Sequence, residues 1–81
     1  MTRSLATVVS KLIKMIQVTV NGENREMPEN STVAHLVESL KLTGKRIAVE
    51  LNGEIVPKSQ HATTPLNAGV SLEIVVAVGG G

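Results

Sequence analysis

The residues that could do chemistry in this chain are few and scattered. There is no cysteine, which excludes a disulfide framework, a thiolate nucleophile and a zinc–thiolate site. His35 lies opposite the apolar stripe of a helical pattern and is expected to face solvent, while His61 falls in a polar stretch. Neither has a cysteine, an aspartate or a second histidine at ligand spacing, so no metal is expected. Ser59 has no arranged base and no strand-to-helix elbow around it. The glutamates are scattered and read as solvated surface. What remains is the end of the sequence. "EIVVAVGGG" (73–81) leads an apolar strand pattern into three glycines, the last bearing a main-chain carboxylate. Glycine has the freest backbone and no Cβ, so Gly79, Gly80 and Gly81 suit a tail presented to something else. A frayed terminus fits the same residues equally well.

Composition narrows the rest. A chain of 81 residues is one small domain, which buries only about 60% of its unfolded surface and has no room for a deep catalytic cleft. Phe, Tyr and Trp are absent, so the core must be aliphatic and no platform exists for stacking bases. The net charge of +1 hides an asymmetry. Arg3, Lys11 and Lys14 precede Met15 with no acid among them, whereas Met15 onward holds five Lys/Arg against seven Glu, a net of −2. A phosphate-binding surface, and with it a nucleic-acid partner, is disfavoured. No apolar run approaches the roughly 20 residues of a membrane span, and a cytoplasmic protein with no membrane partner is expected.

The elements follow from periodicity. "MTRSLATVVSKLIK" (1–14) spaces Leu5, Val8, Val9, Leu12 and Ile13 as a short basic amphipathic helix. Three readings compete: an extension ahead of a start at Met15, a partner-binding or packing helix, and a targeting peptide. The first is preferred, with 15–81 as the domain. "IQVTV" (16–20) alternates as a half-buried strand. Asn21-Gly22 suits a type I′ hairpin, and the return strand, roughly 24–28, ends at Pro28 as an edge strand. An N-cap among Asn30, Ser31 and Thr32 opens a helix striped by Val33, Leu36, Val37 and Leu40. Gly44 is expected to stop that helix, with Lys41 and Lys45 near the negative end of its dipole. "IAVELNGEIVP" (47–57) repeats the hairpin through Asn52-Gly53. The span 58–70 reads as a loop with one helical turn near 60–63, and 71–78 is the last strand. One helix over one face of a mixed sheet is an α+β roll. If the last strand pairs beside the first, it lies mid-sheet and roots the tail rigidly.

From Met15 to Gly81 the chain resembles the ThiS-type sulfur carriers of thiamine biosynthesis, which are ubiquitin-like β-grasp proteins. The resemblance rests on "IQVTVNGE", "TVAHLVESL", "AVELNGEIVPKSQHATTPL" and "LEIVVAVGGG", and covers essentially the whole domain. It departs from the family at Gly69-Val70, where many relatives have Gly-Asp, and in having three terminal glycines in place of the more usual two. It implies a mixed four- to five-stranded sheet with one main helix. It also implies a carrier, not an enzyme, with no bound cofactor. The Gly81 carboxylate would be adenylated with ATP by an adenylyltransferase resembling ubiquitin-activating enzymes. It would then be converted to a thiocarboxylate by a sulfur donor such as a cysteine desulfurase, and the sulfur delivered to thiazole synthase. Gly80 and Gly79 would thread the tail into the partner, where a Cβ would obstruct.

Partner recognition is expected at the root of the tail. With Leu72, Ile74 and Val76 facing the helix, Val75 and Ala77 face out beside Ala48, forming a small apolar docking patch. Scattered surface apolars are the ordinary alternative. Three other functions share parts of the pattern. A molybdopterin-type sulfur carrier would be richer in aromatics and lack "NGEIVPKSQ". A β-grasp nucleic-acid module conflicts with the charge. A ubiquitin-like modifier would use the same activated carboxyl, captured by an amine.

Overall fold

Two Asn-Gly pairs shape the sheet. The computed structural model describes residues 14–77, so the expected basic stretch up to Ile13, and Val78 with Gly79, Gly80 and Gly81, lie outside the described residues. Strand β1 (Met15–Val20) turns through Asn21 and Gly22 into β2 (Glu23–Pro28). Both turn residues have positive φ, 51° and 84°, as a type I′ hairpin requires. β3 (Ile47–Leu51) and β4 (Glu54–Val56) repeat the device at Asn52 and Gly53, with φ 51° and 86°.

With β5 (Ser71–Val76) the sheet has the order β2-β1-β5-β3-β4. β1 and β5 are parallel and the other pairs antiparallel. β2 is an edge strand, exposed except at Met27. Pro28 ends it, where a missing N–H costs no ladder bond. Just before β1, the Lys14 carbonyl accepts a bond from Glu29 N–H at 2.8 Å, so the hairpin's pairing begins one residue ahead of Met15.

Helix α1 (Val33–Ser39) covers one face. Its N-cap is Thr32, whose Oγ1 accepts from His35 N–H at 3.3 Å, while His35 Nδ1 accepts from Thr32 N–H at 2.9 Å. This is a capping box with His in the place usually held by Glu or Gln. His35 is exposed, as its place opposite the stripe predicts. Two further orphan donors of the first turn are met by the long connection after β4. Val33 N–H bonds Thr64 C=O and Ala34 N–H bonds His61 C=O, both at 2.9 Å.

The expected stop at Gly44 comes too late. The helix caps at Leu40, and Lys41 takes the left-handed conformation at φ 60°. Lys41 N–H bonds Glu38 C=O at 2.9 Å and Leu42 N–H bonds Val37 C=O at 3.0 Å, the two bonds of a Schellman motif. The reason is burial. Leu42 packs against the core beside Val37, and that contact draws the chain back early. Gly44, at φ 84°, serves the following turn, and the last turn of the helix contains no basic residue.

The core is aliphatic throughout. Val18, Val33, Leu36, Val49 and Leu72 are its largest fully buried side chains, joined by Val20, Val37, Leu66, Val70 and Ile74. Leu40 is only partly buried. Two side chains are buried to a different degree than their neighbours suggest. Val76 shares the strand register of Leu72 and Ile74, yet it is 38% exposed. A seven-residue helix reaches only about 10 Å at about 1.5 Å per residue, and β5 outruns it. His61 is 9% exposed rather than lying in an open loop. The segment 57–70 folds back as a strap, with a 3-10 turn at Lys58–Gln60 slightly ahead of the expected 60–63. The strap carries the ring inward, where Nε2 meets the Val56 carbonyl at 3.1 Å.

Leu36, at 0% exposed, gives the measure of this packing. Leu36→Ala is expected to lower the unfolding free energy by about 2–5 kcal/mol in urea titration; a loss of a few tenths would show that the helix face is not core.

Candidate functional site: the root of the C-terminal tail

β5 is the last described strand, and its surroundings decide how the tail leaves the domain. On one side it pairs with β3, with Ala48 opposite Val75 and Ile47 opposite Val76. The ladder continues one step past the strand, where Ala77 N–H bonds Arg46 C=O at 2.8 Å. On the other side Thr19 N–H bonds Val70 C=O and Asn21 N–H bonds Leu72 C=O, both at 2.9 Å. β1 ends there, but Asn21 extends it with its side chain. Oδ1 accepts from Ile74 N–H at 2.8 Å and Nδ2 donates to Ile74 C=O at 3.1 Å. The carboxamide thus takes the place of one more backbone residue in the ladder. Asn52 does the same at the start of the strand, its Oδ1 accepting from Ser71 N–H at 2.9 Å and its N–H bonding Ser71 C=O at 2.8 Å.

These two clamps were missed in the sequence, where both asparagines were read only for their tolerance of positive φ. The signal was the residue type itself. Glycine serves positive φ as well or better, so an Asn at both turns leaves its amide to be accounted for.

The outward face of the central strands is sorted by polarity. Val75 is 63% exposed, its register partner Ala48 is exposed, and Ala77 is exposed two residues further along the same strand line. The structure therefore brings the three expected patch residues together at the end from which the tail departs. One step away from the tail, Glu50 and Glu73 stand opposite each other and exposed. The tail glycines themselves lie outside the described residues. His35 and His61 are held in the structural bonds given above, and Ser59 lies exposed in the 3-10 turn. Among the described residues no three His, Cys, Asp or Glu come together to hold a metal ion, and no helix is long and apolar enough to cross a membrane.

A parallel pair of β1 and β5 at the centre, flanked by two Asn-Gly hairpins and crossed by one helix, is a β-grasp sheet. Compared with known protein families, residues 18–81 match the ThiS family. The chain belongs to the ThiS family. A solved structure of the thiamine biosynthesis protein ThiS from Geobacter metallireducens superposes with a TM-score of 0.69 at 30% identity, covering 82% of this chain and 100% of that one. Among curated proteins, a thiazole synthase of Paramagnetospirillum magneticum is 42% identical over 66 residues, 82% of this chain. The matched stretch is 20% of that protein, so this ThiS-family chain spans about a fifth of its relative's length. An uncharacterized protein, ycf40, of Porphyra purpurea is 32% identical over 68 residues, covering 84% of this chain and 96% of the relative. The resemblance read from the sequence, to ThiS-type sulfur carriers, is borne out.

The Asn21 clamp makes a sharp expectation. Asn21→Gly keeps the positive φ but strips both partners from Ile74, and should cost about 1–3 kcal/mol. Amide hydrogen exchange at Ile74 should accelerate by more than the exchange of core amides in β3. Equal acceleration everywhere would mean that the side chain does nothing local.

Proposed function

We propose that this chain is the sulfur carrier of a thiamine (thiazole) pathway and that its working group is the carboxylate of Gly81. The observation that carries the reading is the root of the tail. β5 is bonded along both edges up to Ile74 and along one edge to Ala77, and Gly81 follows Ala77 by only four positions in the sequence. A strand bonded on both edges, followed within two residues by glycines that have no Cβ, suits the presentation of a backbone carboxylate to a partner. Family membership supports the same role.

The chemistry follows from the carboxylate. It is a poor electrophile because its oxygen leaves badly. A carboxylate oxygen attacks the α-phosphorus of ATP, pyrophosphate departs, and an acyl-adenylate results. The outer sulfur of a donor persulfide then adds to the acyl carbon and AMP departs, and a thiol reduces the resulting acyl disulfide, which leaves the thiocarboxylate and a mixed disulfide; free sulfide would give the thiocarboxylate directly. Both steps belong to an adenylyltransferase and its sulfur donor, the latter of the cysteine-desulfurase type. ATP binds to the activating partner and not to this chain. The acceptor of the sulfur is thiazole synthase, a reading supported by the relative of that name that contains a stretch like this chain. Gly79 and Gly80 let the backbone pass through a channel too narrow for a Cβ, and the apolar patch of Ala48, Val75 and Ala77 rests against the partner meanwhile.

Incubation with ATP, the adenylyltransferase of the same genome and sulfide should exchange one carboxylate oxygen for sulfur, seen as a gain in intact mass that fragmentation places on Gly81. Deleting Gly80 and Gly81, or adding one residue after Gly81, should abolish the gain without moving the melting temperature. Gly80→Ala should slow it more than Gly79→Ala, and Val75→Glu should raise KM for the carrier. Thiazole formation supported by a chain blocked at Gly81 would overturn the reading.

A further inference from the structure

The cations that follow Met15 are not spread evenly. Lys45, Arg46 and Lys58, three of the five Lys/Arg in that span, line one groove of about 610 Å³. Glu38 is the only one of the chain's seven glutamates that lines it. A domain of net −2 from Met15 onward therefore presents a local excess of positive charge. Between the cations the wall is apolar, with Val37 from the helix, Ile47 from the start of β3 and Ala62 from the strap. Val75 and Ala77 form its margin at the root of the tail.

The cations reach this place from two separate segments. Lys45 and Arg46 follow the early helix stop at Leu40, and Lys58 opens the 3-10 turn after Pro57. They do not serve the helix dipole, since the last turn of α1 contains no basic residue and the dipole's effect fades within one turn. Arg46 is also tied to the tail, because its carbonyl holds Ala77 N–H at 2.8 Å. Anything seated in the groove therefore touches the segment that fixes where the tail departs.

We propose that the groove docks an acidic segment of the enzyme that activates Gly81. An apolar side chain of that segment seats among Val37, Ile47 and Ala62, and its carboxylates meet Lys45, Arg46 and Lys58. This rests on the carrier reading of Gly81, since a partner that grips the tail beyond Ala77 also covers the groove's margin. Charge complementarity of this kind sets the encounter rate and the orientation, while the apolar anchor sets the lifetime. The chain's own residues 1–13 do not suit the site, because they carry Arg3 and Lys11 and no acid. A free phosphate ester suits it poorly, because the floor between the cations is aliphatic.

The test measures activation of Gly81 by the adenylyltransferase of the same genome, with the full chain as substrate. Lys45→Glu combined with Lys58→Glu should raise KM by about tenfold at low salt and flatten its salt dependence. Ala62→Asp should raise KM with little change in the salt slope. A control with the same charge change on the far edge of the sheet, Arg25→Glu with Lys14→Glu, should leave KM within about twofold, as expected if local and not net charge steers the encounter. Normal activation of the wild type with KM unchanged in both groove variants would remove the groove while leaving the carrier reading intact. An equal KM rise in the control would replace a local site by net charge. Submillimolar binding of inorganic phosphate or ATP to the chain alone, with shifts confined to Lys45, Arg46 and Lys58, would make it a small-anion site instead. If the wild type is not activated at Gly81, both readings fall.

Discussion

Because β5 lies between β1 and β3, its backbone is bonded along both edges, and the placement of everything else follows from that. The strand is the last of the described strands and central in space, so the sheet joins segments from both ends of the described residues. Its parallel partner is β1, the first described strand, so bonds such as Thr19–Val70 and Asn21–Leu72 span most of the described chain. Helix α1 then packs across β1, β3 and β5 through Val33, Leu36 and Val37 onto Val18, Val49, Leu72 and Ile74. Ile74 is the meeting point of these demands. Its side chain is buried in the core, and its backbone is bracketed by the Asn21 amide. Loosening it would free the tail's root from the first strand as well as from the helix.

An aliphatic core makes such main-chain bonds more consequential. With no aromatic residue in the chain, the buried side chains are mostly valine, with leucine, isoleucine and one methionine. β-Branched residues suit a pleated surface and stiffen it, but each buries less area than a ring. The structure compensates by satisfying the polar groups that its connections bring inside. Ser31 Oγ donates to Pro28 C=O, His61 is bonded at Val56, and no buried side-chain polar atom among the described residues lacks a partner. The strap from Pro57 to Val70 is thus part of the fold's framework, closing the helix N-terminus as well as covering the core.

Much of this was legible in the sequence. The two Asn-Gly turns, the alternation in β1 and β3 and the Val33–Leu36–Val37 stripe specify the hairpins and the helix through local rules, whereas the central position of β5 rests on its pairing with the first strand, which the sequence poses only as a condition and the structure shows. The failures share a cause. Gly44 was favoured as the helix stop because glycine tolerates positive φ best, yet Lys41 takes that conformation because burial of Leu42 outweighs a modest backbone strain. His61 falls in a polar stretch, which says nothing of its burial, and only the path of the strap turns it inward. The amides of Asn21 and Asn52 reach β5 through contacts between residues 53 and 19 positions apart. No window of local sequence contains such a pair. At the candidate site, the patch was legible because strand alternation alone assigns Ala48, Val75 and Ala77 to one face, whereas the groove joins segments that only the tertiary fold brings together.

In the proposed carrier role, a glycine tail would separate reaction from recognition. The residues best suited to enter a narrow channel have no side chains, and so they have nothing with which a partner could tell this chain from another. Discrimination must then come from folded residues near enough to the exit to be touched at the same time. The outward face offers that in graded form: the apolar set of Ala48, Val75 and Ala77 borders the exit, and the facing carboxylates of Glu50 and Glu73 lie one step behind it. Two like charges directly opposite on neighbouring strands destabilise a sheet. Their presence there, with an apolar pair next to them, fits a surface on which a partner of the wrong charge is repelled and one that stops at the apolar pair is held. The bonds along both edges of β5 up to Ile74, and along one edge to Ala77, fix where that face stands relative to the sheet.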